Sequence, residues 1–105
     1  MQKTIKIGVA GESAVIKDLT DHGFKIDFWN PEIPGLNKIE ASKQKTKILV
    51  YVNVAVLPEN PPCISKDDEH HLKSHANTIQ AFAYEAKVQL DHLLNSTAIN
   101  YRLVF

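Results

Sequence analysis

A single cysteine, Cys63, cannot close an internal disulfide, so nothing in the sequence depends on an oxidising compartment. Long apolar runs are also missing. The longest, from Ile48 to Leu57, is interrupted by Asn53 and falls far short of the ~20 residues of a membrane span. The opening Met-Gln-Lys-Thr-Ile-Lys-Ile lacks the uninterrupted apolar core of a signal peptide. A cytoplasmic location with no membrane partner is therefore expected. Nor is there an excess of either charge, because 12 basic and 12 acidic residues leave a formal net charge of zero. No overall field then draws the chain to nucleic acid. Arginine, whose planar fork suits phosphate and guanine, occurs once, at Arg102. Both shortages argue against a nucleic-acid partner.

Catalytic patterns are equally scarce. Gly8-Val-Ala-Gly11 is neither G-x-G-x-x-G nor a P-loop, and it reads as a turn before a helix. No Ser-His-Asp or Cys-His-Asn set can be assigned, so no enzymatic activity and no cofactor are expected.

What is present suits one globular domain spanning 1–105, with 44% hydrophobic and 23% charged residues. Ile5, Ile7 and Val9 alternate with Lys6, Gly8 and Ala10, predicting a strand over 4–10 that Gly11 ends. A helix is expected over 12–22, closed by Gly23, and a strand over 24–29 follows. Residues 30–46 hold Pro31, Pro34 and Gly35 and read as a long loop. The third strand, 47–57, is apolar on both faces and so belongs at the centre of a sheet. A fourth strand is expected over 99–105.

Ser65 to Asn95 is the longest run that combines a lack of Gly and Pro with a sustained helical period. Leu72, Ala76, Ile79, Ala83, Ala86, Leu90 and Leu93 recur at spacings of four and three, predicting one long helix over 66–95. Ser65 and Asp68 form a capping box at its start. The resulting order, strand-helix-strand-strand-helix-strand, resembles the ferredoxin-like group of α+β folds. That βαββαβ resemblance implies a four-stranded antiparallel sheet of order 4-1-3-2 with both helices on one face. A small three-layer α/β fold, with another helix hidden in 30–45, is the alternative.

Two surfaces stand out. The sheet face turned away from the helices would display Lys6, Lys25, Trp29, Tyr51, Asn53 and Arg102, a polar border around an apolar strip. His71 and His75, one turn apart with Asp67 a further turn back, could hold zinc. The over-long helix and two-faced strand point to a small non-catalytic interaction or regulatory domain that self-associates, its partner being itself or another protein. Metal binding through His71 and His75 is one alternative. Single-stranded nucleic-acid binding on the open sheet face is the other.

Overall fold

The computed structural model describes residues 3–29 and 38–105. Its elements are α1 (Lys3–Asp21), β1 (Lys25–Phe28), β2 (Lys38–Lys43), β3 (Thr46–Val56), α2 (Lys66–Thr78), β4 (Phe82–Leu90) and β5 (Ser96–Val104). The strands form one five-stranded sheet in the order β1-β2-β3-β4-β5. Neighbours are antiparallel except β3 and β4, which run parallel. This mixed sheet replaces the expected four-stranded antiparallel ferredoxin-like sheet of order 4-1-3-2.

The expected strand over 4–10 belongs instead to α1, which runs straight through Gly11. Ile7, Gly11, Val15 and Leu19 recur every four residues, with Ala10 and Ala14 beside them, and this stripe faces the sheet. Gly11 marks a close approach: a Cβ built there would lie 2.8 Å from Val54 Cβ. Gly11→Ala is therefore expected to destabilise by about 1–2 kcal/mol, overpacking outweighing the gain in helix propensity. With Val54→Gly in the same chain, which removes the Val54 Cβ along with its methyls, the added loss from Gly11→Ala should vanish. Urea melts of the four-member cycle check this, and additive single-mutant effects would refute it.

The expected helix over 66–95 is two elements. Ser65 caps α2, its hydroxyl accepting the Asp68 N–H at 3.1 Å. The helix stops at Thr78, where Ala81 N–H bonds Ala76 O at 2.8 Å and Gln80 N–H bonds Asn77 O at 3.2 Å. Gln80 has φ 57. This is a Schellman closure with glutamine in the left-handed position that glycine usually fills. Beyond it Phe82, Tyr84, Ala86, Val88 and Leu90 alternate with Ala83, Glu85, Lys87 and Gln89 along β4.

Part of the expected 30–46 loop is also regular. Positions 30–37 lie outside the described residues, and 38–43 form β2, so that part is a strand and not a hidden helix. It folds back on β3 through Gln44-Lys45, with Gln44 at φ 56.

The helices take opposite faces of the sheet, not one. Val15 and Leu19 of α1 pack on Ile48, Val50, Val52 and Val88, while Leu72 and Ala76 of α2 pack on Leu49, Ala83 and Val104. Because β3 sends alternate side chains to both cores, it must be apolar on both faces. Among the described residues no helix is long and apolar enough to cross a membrane.

Candidate nucleic-acid interface

Strand register builds the exposed part of the α2 side. α2 packs chiefly on β3 and β4, so among the described residues no helix covers β1 and β2 on that face. Lys25 of β1 lies opposite Ser42 of β2, and Ser42 lies opposite Lys47 of β3. Residues directly opposite share a face, and Lys47 is two before Leu49, so this row stands on the α2 side. Two rows further, Lys38 lies opposite Tyr51, with Glu40 opposite Leu49 between them. The turn joining β2 to β3 adds Lys45, while Lys43, two after Ala41, stands on the α1 side.

Lys25, Lys45 and Lys47 are exposed and Lys38 is half-buried. No carboxylate among the described residues pairs with any of these four. Lys43 Nζ donates to His22 O at 2.7 Å and lies 5.7 Å from the centre of the Phe24 ring. Asp67, Asp68 and Glu69 collect at the start of α2. The zero net charge thus averages a basic hairpin and an acidic helix end, and local fields follow the distribution, not the sum.

Beside the lysine row, under α2 and the segment before it, lies a second polar group. Glu85 of β4 is 1% exposed. Its carboxylate accepts from Asn53 Nδ2 at 3.1 Å, Ile64 N–H at 2.8 Å and Arg102 Nε at 3.0 Å. Arg102 also reaches Glu69 of α2 at 3.0 Å. Burial pushes the Glu85 carboxyl up, but the bonds from Ile64, Arg102 and Asn53 outweigh it and hold the group below its ordinary range. Tyr51 hydroxyl donates to Asp68 at 3.2 Å. With both carboxylate oxygens engaged, Glu85 anchors α2 and its leading loop to the sheet.

Of the residues expected on one open face, Tyr51, Asn53 and Arg102 are brought together on the α2 side, and Lys25 stands at its uncovered end. Lys6 lies on α1, and Trp29 packs against the α1 core. Trp29 Nε1 donates to Glu12 Oε1 at 3.0 Å. Glu12 is 6% exposed, and burial raises its proton affinity, partly offset by the Trp29 bond. Sequence reasoning missed Glu12 and Glu85. Their positions on an apolar helix stripe and within an alternating strand were the available signals.

His71 and His75 sit on α2, the first exposed and the second half-buried, with Asp67 exposed. Among the described residues no group of three or more His, Cys, Asp or Glu side chains could hold a metal ion. Cys63 is exposed, with Lys87 Nζ 3.1 Å from its sulfur.

No curated protein sequence matches the chain. Its fold is similar to that of Hjc, a Holliday junction resolvase from the archaeal hyperthermophile Archaeoglobus fulgidus. The TM-score is 0.63, over 91% of this chain and 76% of that one, at 20% identity. At that identity the likeness is one of fold. A fold shared with a resolvase overturns the ferredoxin-like assignment. It also overturns the expectation of a non-catalytic interaction or regulatory domain with nucleic acid an unlikely partner, which rested on missing motifs and zero net charge. Residues 9–102 match the family model described as a domain of unknown function, DUF8840, and the chain belongs to that family.

Proposed function

We propose that the chain binds nucleic acid through the lysine-bearing face of β1, β2 and β3 and the turn between the last two. The observation that carries this reading is the Lys25, Ser42, Lys47 row on a face that no helix among the described residues covers. Neighbouring strands lie about 4.8 Å apart, so the two lysines stand about 10 Å apart. That breadth suits a duplex carrying one charge per about 1.7 Å of axis. Lysine without arginine favours contacts to phosphate over base edges, and hence recognition of shape. Because the similar archaeal protein is a Holliday junction resolvase, a four-way junction is the first substrate to test. A reducing cytoplasm would suit both this partner and the unpaired Cys63.

Fluorescence anisotropy with junction, duplex and single-stranded DNA tests the reading. Binding should weaken steeply with salt. Lys45→Ala with Lys47→Ala should lower the slope of log K against log salt by about 2 and the affinity about tenfold at ~0.1 M salt. An unchanged slope would overturn this placement of the interface.

A further inference from the structure

On the α1 side of the sheet, beside the β2–β3 turn, lies a cavity of about 450 Å³. That volume is within the range of small-molecule sites. Three aromatic side chains, Phe24, Tyr84 and Tyr101, line it, and Asp18, His22 and Lys43 supply its polar groups. Aromatic walls favour a flat, conjugated occupant.

The polar groups narrow its chemistry. Tyr101 hydroxyl donates to Asp18 Oδ2 at 2.7 Å. Burial and this bond push the phenol's proton affinity up, so Tyr101 stays a donor. His22 Nδ1 lies 2.7 Å from Asp18 backbone O. A carbonyl oxygen only accepts, so Nδ1 carries the hydrogen of that bond. The 3.5 Å from His22 Nδ1 to Asp18 Oδ1 is too long for a second good bond. The Asp18 carboxylate, with about four lone-pair sites, therefore keeps acceptor capacity after Tyr101 is served.

Among the DNA bases, guanine alone presents two adjacent donors, N1–H and the 2-amino group, that one carboxylate can accept together. Adenine and cytosine set one donor beside an acceptor, and thymine flanks its single donor with acceptors. Lys43 has donors left after His22 O, so a phosphate attached to the base would meet positive charge at the cavity mouth.

We propose that this cavity is a guanine site, in which the base stacks on the aromatic side chains with its Watson–Crick edge on Asp18 and its phosphate at Lys43. In its strand-bound form this rests on the nucleic-acid reading above. The same chemistry could arrive as a free guanine nucleotide or as an unpaired guanine in DNA.

The test is a titration of isotope-labelled protein, followed by NMR, with 5′-GMP, 5′-IMP, 5′-AMP and inorganic phosphate. GMP should give saturable shifts at His22, Thr46, Tyr84 and Tyr101, binding about tenfold or more tightly than IMP, which lacks the 2-amino group, or AMP. Asp18→Asn, at a half-buried helix position outside the hydrophobic core, should fold and lose that preference. Equal binding of all three nucleotides, shifts reproduced by phosphate alone, or no shifts with any of them would overturn the site. Duplexes bearing one bulged guanine or one bulged adenine separate the sources. Preference for the bulged guanine assigns the site to DNA, and GMP binding without that preference assigns it to the free nucleotide. Because the mononucleotide arm needs no DNA, it can succeed where the Lys45 and Lys47 variants disprove the junction interface, and the reverse.

Discussion

Glu85→Ala is expected to cost about 3 kcal/mol of folding stability, read as a fall in urea midpoint at unchanged slope. The carboxylate is buried, and removing it strands the Ile64 N–H and the Asn53 amide as well as one side of Arg102. Losing one partner of a buried ion pair costs roughly 3–5 kcal/mol, because the remaining polar groups stay desolvated. Arg102 is 53% exposed and retains Glu69, which puts the estimate at the lower end. Glu85→Gln keeps the shape and loses the charge, so about 1.5 kcal/mol is expected. The same residue should shape the acid limb of stability. Its folded carboxyl is held below the ordinary value of 4.5. Its contribution is therefore complete above that value and lost as pH falls through the lower folded one. Glu85→Gln should flatten the decline below about pH 4.5, and an acid limb identical to the wild type's would show that Glu85 does not govern it.

Leu72→Ala is expected to cost a similar ~3 kcal/mol, but with the damage confined to one helix. Leu72 and Ala76 are the only buried residues of α2, which has 13 residues. A helix of that length is marginal alone in water. Its ties to the sheet are those two side chains with the Tyr51–Asp68 and Arg102–Glu69 contacts. Without the leucine, α2 should open while the α1 core stays closed. Hydrogen exchange should show residues 69–78 losing protection, with Val50 and Val88 slowed nearly as in the wild type. Uniform loss across helix and sheet would mean that α2 folds as part of the same unit as the α1 core.

How legible the fold was depends on which residues make the turns. Thr46–Val56 was readable because its two apolar faces are what a strand between two cores requires. The Ser65 cap was readable because capping is local chemistry. The breaks were hidden. Gln44, Gln80 and Leu94 adopt positive φ, and of the glycines described only Gly23 does. Gln80 therefore ends α2 without the glycine signal, and Leu72, Ala76, Ile79, Ala83 and Ala86 keep helical spacing across two elements. Gln44 likewise makes a hairpin turn that reads as loop. Gly11 misled in the opposite way, since the glycine taken as a break is where α1 touches Val54. The lysine row was invisible because Lys25 and Lys47 are far apart in sequence and meet only through Ser42, a neighbour that register supplies. Lys25 alone of that row was singled out. Glu85 could not be paired with Arg102 while β4 was read as helix.

The one parallel junction has a consequence for how the chain assembles. β2–β3 and β4–β5 are hairpins whose strands meet across short turns, so each can form from local contacts. The β3–β4 seam instead pairs Ile48 with Phe82 and Val56 with Leu90, an offset of 82 − 48 = 34 residues throughout. Closing so long a loop sacrifices chain entropy before its contacts are gained, which makes such pairing slow. The protein is thus two quickly formed halves joined along one late seam, with α2 as the strap between them. Until that seam closes, β3 and β4 each present an open apolar edge, and this is the interval in which the chain is most exposed to aggregation.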